Sequence, residues 1–467
     1  MIYFISFLNY HLCRRFIMTK VASELGTEKI STLLIKQAVP ASIGILVMSL
    51  NMIVDTIFVG QWIGVLAIAA ITVVLPIAFM ISSIGMGIGI GGSSIISRAL
   101  GNNNSEKAFL TFGNQISLTT ILALFFVVVG NIYSTEILSI FGAKGGILSP
   151  SQEYFDVIIY GVPFLTFAMM GNPVIRAVGK PKFAMYAMMV PAVVNIVLDI
   201  IFIKYMNLGM YGAGLATSIA YASCGLFILY FFISNKSELR IITKNFRLNF
   251  SIVNEIIKLG GVSVVRQGTI SVLMIVLNYS LYKYGGEISI SIFGIINRVM
   301  MFALFPIMGI TQGFLPIAGY NYGAKKYDRV KETIKKAIIY GCAVTGLIYI
   351  LIIIFSKEII SVFSTDIILL NETPRAMILV FLVSPIIAIQ LIGSAYFQAA
   401  GKALPALFLT LLKQGLFLIP LAYLLPIYYG IDGVWFSFAI GDTLATIITY
   451  VVLKKEISKN LNDSFSI

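Results

Sequence analysis

Two acidic residues stand inside apolar stretches of this sequence. Asp55 lies in Asn51-Met52-Ile53-Val54-Asp55-Thr56-Ile57-Phe58-Val59-Gly60-Gln61, and Asp199 ends Asn195-Ile196-Val197-Leu198-Asp199. A charged side chain near a bilayer centre costs roughly 2.5–3.5 kcal/mol on insertion scales, so such residues mark ion, proton or ligand paths. Asn195 and Asp199 are four apart and share one helix face. Asp55 follows Lys36 by 19 positions, and Asp199 follows Lys182 by 17. At a rise of ~1.5 Å per residue, both lie roughly 25–29 Å from the same membrane edge. Tyr154 and Thr217 enter their own spans from the opposite side, at a similar level. Two carboxyl groups close together in low dielectric cannot both stay ionised cheaply. One should hold a proton, or a cation such as Na⁺ should sit between them. Asp55, Asp199, Asn195, Thr217 and Tyr154 are therefore the candidate cation-coupling residues. Pairing of Asp199 with Lys204, five residues on, is geometrically poor.

Other chemistry is poorly supported. Three cysteines (Cys13, Cys224, Cys342) and one histidine (His11) cannot assemble a metal site or a disulfide framework. Gly87-x-Gly89-x-x-Gly92 has the form of a dinucleotide fingerprint, but it lies within an apolar span with no preceding strand. No Walker lysine and no Ser/His pair is available, so the sequence encodes no enzyme and calls for no cofactor. Three basic residues, Arg266, Arg298 and Lys413, stand inside apolar spans of the second half. They either line a cavity that holds an anionic group or form internal pairs. Arg266 is close enough to its helix end to snorkel.

The elements that position these residues are membrane helices. Of 467 residues, 58% are hydrophobic and only 11% charged, with mean hydropathy +0.95. A soluble domain carries about 25% charged residues. Apolar runs of about 20 residues recur from end to end, so the chain is an all-α polytopic membrane protein. Twelve spans are expected: 37–60, 66–96, 108–132, 154–176, 183–204, 212–234, 252–282, 289–319, 332–355, 375–399, 403–426 and 433–453. The polar stretch 235–251 separates an N-lobe (37–234) from a C-lobe (252–454), with a head of residues 1–36 and a tail of 455–467. Residues 1–17 carry their charges after the apolar part, unlike a signal peptide, and read as an upstream extension before Met18. Lys and Arg concentrate in one set of loops, which places both termini in the cytoplasm. The net charge of +13 is mostly this bias, facing anionic lipid rather than nucleic acid.

The halves repeat. An offset of 222 lays Gly87 on Gly309, Gly91 on Gly313, Gly101 on Gly323, Glu136-Ile137 on Glu358-Ile359, and Gly179-Lys180 on Gly401-Lys402. Gly212 meets Gly433 at an offset of 221. Because six spans move with the offset, the halves insert alike. They should form two six-helix bundles about a pseudo-two-fold axis along the membrane normal, with a cavity at their interface. The repeat leaves no acid opposite Asp55 and Asp199, since positions 277 and 421 are leucine. Gly87-xxx-Gly91 and Gly309-xxx-Gly313 should bring helices close together.

The assembled pattern resembles the multidrug and toxic compound extrusion (MATE) family, in its DinF-like branch. The resemblance rests on Asp55-Thr56-Ile57-Phe58-Val59-Gly60, Ile175-Arg176-Ala177-Val178-Gly179-Lys180-Pro181, Asn195 to Asp199, Gly319-Tyr320-Asn321-Tyr322-Gly323-Ala324, and Lys413-Gln414-Gly415-Leu416-Phe417-Leu418-Ile419-Pro420. It covers the chain from about Ile30 to Lys455. It implies an exporter that exchanges Na⁺ or H⁺ for bulky, usually cationic, drugs by alternating access in the bacterial inner membrane, here expected to act as a monomer. It implies the same five cation-coupling residues, and a bend of the first helix at Pro40. Asn172 matches a polar cavity residue. With Gln61, Arg298 and Lys413 it makes up the candidate substrate-cavity set. The alternative reading is a lipid-linked saccharide flippase of a related fold, which would favour the basic trio of the second half.

Overall fold

The computed structural model describes residues 24–234, 237–364 and 366–461. The stretch 1–17, read above as an extension, lies outside them. Ten apolar helical segments long enough to cross a bilayer are present among the described residues. Two of these contain a glycine that cannot continue a helix: Gly286 (φ 65°, ψ −162°) and Gly430 (φ 56°, ψ −142°). Positive φ is open to glycine because it has no Cβ, and the chain reverses there. Ten segments thus give twelve crossings, as the spans predicted. They are α1 (Ile30–Trp62), α2 (Val65–Gly101), α3 (Ser105–Ile132), α4 (Leu148–Ala177), α5 (Pro181–Asp199), α6 (Gly209–Ile233), α7 (250–285), α8 (287–323), α9 (Tyr327–Ile354), α10 (Ile367–Ala399), α11 (403–429) and α12 (431–460). Helix is the form that satisfies every backbone group inside one segment, which lipid demands.

The repeat read from glycines reappears in the backbone. The ends of α2 (Gly101) and α8 (Gly323), the starts of α3 (Ser105) and α9 (Tyr327), and those of α5 (Pro181) and α11 (Ala403) are all 222 apart. Short helices start at Ser134 and Ser356, again at that offset. Left-handed residues pair likewise: Asn103 with Lys325, Gly64 with Gly286, and Gly179 with Gly401, while Gly209 and Gly430 are 221 apart.

The chain packs as two compact units. Among the described residues, one holds 24–28 and 43–263, and the other holds 29–42 and 264–461. These packing units divide the chain after the polar stretch 235–251, not within it. Polarity marks where the chain leaves the membrane, whereas packing decides which unit holds it. Residues of that stretch are docked on α3: Asn114, fully buried, donates to the Asn245 (3.4 Å) and Arg247 (3.2 Å) carbonyls and accepts from the Asn249 N–H at 2.7 Å. Ser117 donates to the Phe246 carbonyl at 2.8 Å. The first turns of α7 follow, held by Glu255 between Arg98 (2.9 Å) and Lys107 (3.1 Å). The start of α1 behaves alike in the other unit, where a Cβ on Gly309 or Gly313 of α8 would meet the Ser42 or Gln37–Ala38 backbone.

The expected close approach at Gly87 and Gly91 is present. A Cβ on Gly91 would meet the Ile256 carbonyl and the Gly260 nitrogen, and one on Gly260 would meet Gly87. Backbone faces backbone there, with no flexible side chain to yield. Gly91→Ala is expected to cost about 1–3 kcal/mol by overpacking, read as a lower thermal midpoint in detergent. Gly261→Ala, which faces open space, should leave the midpoint in place. Equal midpoints for the two variants would rule out this contact.

Candidate functional site

The site is built on two helices that carry the same four-residue spacing. Asn51 and Asp55 lie one turn apart on α1, and Asn195 and Asp199 lie one turn apart on α5. The Asn51 amide donates to the Asn195 amide oxygen at 3.0 Å. One turn further on, the Asp55 and Asp199 side chains interact with each other. The two helices thus match rung for rung, amide to amide and acid to acid. Asp199 is fully buried and Asn195 is 4% exposed. Among the described residues no N–H or O–H donor meets either Asp199 oxygen or the Asn51 amide oxygen, and no acceptor meets the Asn195 amide nitrogen. A fully buried carboxyl group without a partner is costly unless a proton or cation completes it.

No Lys or Arg forms an ion pair with either acid among the described residues. Lys204 sits over the Trp62 ring at 5.5 Å and the Tyr205 ring at 5.9 Å, so the pairing judged poor from sequence does not form. After Asp199 the helix widens into a π-helical stretch, Ile200–Tyr205. Single π-turns of this kind recur at functional positions in helices.

The second wall comes from α4 and α6. Glycines set their spacing: a Cβ on Gly214 would meet the Tyr154 carbonyl, and one on Gly161 would meet the Ser218 backbone. Ser218 donates to the Val157 carbonyl at 2.8 Å and fixes the register. The Tyr154 hydroxyl then lies 3.4 Å from the Thr217 hydroxyl. Thr217 donates to its own Ala213 carbonyl at 3.0 Å, so Tyr154 is the donor between the two. Tyr154 and Tyr221 both lie within electrostatic reach of the Asp55 carboxyl. Around them Val59, Val74, Phe155, Ile158, Ile203 and Met210 form an apolar cluster that limits water.

All five cation-coupling candidates therefore meet in one unit, joined by two residues that the sequence reading did not assign. Asn51 repeats the spacing of Asn195 and Asp199, and Tyr221 follows Thr217 by one turn. Both signals are present in the sequence, but only as weak i,i+4 patterns.

The cavity candidates separate. Gln61 and Arg298 are exposed, and Arg298 makes no ion pair among the described residues. Asn172 is spent within its own unit: its amide donates to the Ala184 carbonyl at 2.8 Å and accepts from buried Arg176 at 3.1 Å. Lys413 is paired with Asp442 in the other unit. Arg266 is exposed on the protein surface. Pro40 is buried within α1, two residues before the packing of that helix passes from one unit to the other.

The fold is that of a duplicated, twelve-crossing membrane protein, and its first repeat holds a pair of acids inside the membrane-spanning helices. The MatE family profile matches residues 40–201 and 263–424, once in each repeat and over more than half of the chain, and the protein belongs to that family. It is 27% identical over 423 residues to the multidrug export protein MepA of Staphylococcus haemolyticus, covering 89% of this chain and 91% of that one. It is 25% identical over 435 residues to the probable multidrug resistance protein YoeA of Bacillus subtilis, covering 90% and 94%. Among solved structures it resembles an outward-facing multidrug resistance MATE transporter of the MOP superfamily, with TM-score 0.88, 25% identity and coverage of 94% and 98%. A MATE structure in a straight conformation matches at TM-score 0.89, 25% identity and the same coverage.

The amide rung has a measurable worth. Asn51→Leu should cost about 1–3 kcal/mol, because it leaves the buried Asn195 amide without its partner. Asn51→Leu with Asn195→Leu should cost clearly less than the sum of the single changes in a thermal-unfolding cycle. Strict additivity would show that the two amides do not interact.

Proposed function

We propose that this protein is a multidrug efflux antiporter, exchanging H⁺ or Na⁺ for bulky organic cations by alternating access. The observation that carries the reading is a fully buried Asp199 beside a half-buried Asp55, with no Lys or Arg paired to either and no hydrogen-bond partner for either Asp199 oxygen among the described residues. Inward cation flow neutralises or bridges the pair. The α1–α5 ladder tightens when the pair is filled and loosens when it empties. Because α1 is one helix whose cytoplasmic end packs in the other unit, a change at Asp55 moves a segment that both units hold. Pro40, next to that transition, is the proposed bending point. Proline removes one backbone donor and weakens the helix locally.

The cellular setting follows the charge bias. The chain is a multi-pass membrane protein, proposed to sit in the bacterial cytoplasmic membrane with both termini inside and to work as a monomer. MepA and YoeA, whose names describe multidrug export and resistance, support drugs as the substrate class. The flippase alternative loses one of its three basic residues, since Lys413 is neutralised by Asp442.

Asp55→Asn and Asp199→Asn should insert normally and lose gradient-driven dye efflux from proteoliposomes, down to the level of empty vesicles. Retained driven efflux in both variants would remove the site assignment. Imposing a pH gradient and then a Na⁺ gradient on the wild type identifies the coupling ion. Efflux driven by neither would refute antiport.

A further inference from the structure

The second unit also buries a carboxylate, and the cation site does not use it. Asp442 lies on α12. The Lys413 ammonium, on α11, is 3.0 Å from one of its oxygens and 3.1 Å from the other. Their side chains are 7% and 19% exposed. Lys413 follows Lys402 by 11 residues, and Asp442 precedes Lys454 by 12. Both charges thus lie about 16–18 Å from the cytoplasmic edge, near the middle of a core about 30 Å thick.

The repeat gives the pair a meaning. At the offset of 221 that joins Gly209 to Gly430, Asp442 takes the place of Tyr221, which faces Asp55 in the first unit. Helix α11 is the counterpart of α5, and each has a π-helical stretch in or next to which a charged residue stands. Ile200–Tyr205 follows Asp199 directly, and Leu412–Leu418 contains Lys413. Each unit therefore pairs a charged residue on its fifth helix with a carboxylate on another helix, Asp199 with Asp55 and Lys413 with Asp442. In one unit the partner is a second acid; in the other it is a lysine.

The surroundings are polar beyond what packing needs. Thr410, one turn before Lys413, hydrogen-bonds Ser394 at 2.6 Å. Gln390 donates to the Leu409 carbonyl at 3.1 Å while its own buried amide oxygen has no partner. Thr446, one turn beyond Asp442 on the same face, has a buried hydroxyl without a partner. Two apolar residues of similar size usually serve stability as well as a buried ion pair does. Lys413 is the one charged group that acts on Asp442 among the described residues. On the elements packed around it, Arg375 pairs with Asp432, Lys402 pairs with Glu456, and Arg298 on α8 is exposed.

We propose that Lys413 is a tethered cation: its ammonium holds, at Asp442, the place that an exchangeable cation takes at Asp55 and Asp199. The second unit then contributes no transported ion, and coupling is confined to the first. This rests on the antiport reading above. Neutralising the lysine should free Asp442 to take up a proton or cation of its own.

The test counts protons on purified full-length protein in nanodiscs, by titration across the neutral range. Lys413→Gln should bind one more proton per chain than the wild type. Lys413→Arg and the double variant Lys413→Gln/Asp442→Asn should not. An unchanged count in folded Lys413→Gln would overturn the proposal. The second measurement is the ratio of cations to drug, found in proteoliposomes from the gradient at which net drug flux reverses. The neutral double variant should keep the wild-type ratio. Loss of coupling there would mean that Asp442 carries the transported ion, and the proposal fails even if Lys413→Gln alone does not fold. If no gradient drives wild-type efflux, antiport itself is refuted, while the proton count still reads Asp442.

Discussion

Burying Asp199 beside Asp55 without a counter-cation costs free energy, and the rest of the first unit is arranged around that cost. Three other acids on the helices are paired with basic residues. Glu255 lies between Arg98 and Lys107, Glu456 meets Lys402, and Asp442 meets Lys413. Removing one member of a buried pair is expensive because the remaining charge is stranded. At Asp55 and Asp199 no Lys or Arg is paired among the described residues, and Asp199 is fully buried. It is held there by tight apolar packing and by an amide rung that uses only half of its hydrogen-bonding capacity. A group that is costly when empty and stable when filled responds steeply to a small cation. A carrier needs that property.

Glycine makes the arrangement possible. Tyr154 reaches Thr217 because α4 and α6 touch backbone to backbone at Gly161 and Gly214. The first turns of α7 seat on α2 through Gly87, Gly91 and Gly260. Without side chains at these points, the contacts that fix the polar groups are short and stiff. Close van der Waals packing also replaces the hydrophobic drive that lipid withholds between helices. The site is therefore positioned by small residues that carry no chemistry themselves.

Much of this was legible in the sequence, for physical reasons. A bilayer forces each crossing to be a long apolar helix, so the twelve spans could be read from hydropathy alone. The offset that laid Gly179 on Gly401 joins two residues that both turn left-handed, so a repeat read from residue types reappears in the backbone. Asp55 and Asp199 stood out because charge is rare in lipid. Other features were hidden. Whether Lys413 faced a cavity or a partner depended on Asp442, 29 residues away on another helix. Asn172 looked available and is instead committed to Arg176 and Ala184, contacts that no spacing rule specifies. The packing units were not legible either, because polarity follows exit from the membrane, whereas packing follows Glu255, Asn114 and the glycines of α2.

The claim that one proton or one cation must complete the acid pair can be read directly from its carboxyl groups. Difference infrared spectroscopy of the purified wild type would follow the protonated carboxylic acid band as pH rises or as Na⁺ is added. The account predicts a band that disappears under at least one of these treatments, and that is missing or altered in Asp199→Asn. A wild-type spectrum with no such band, unchanged by pH and by Na⁺ and identical to that of the variant, would contradict it.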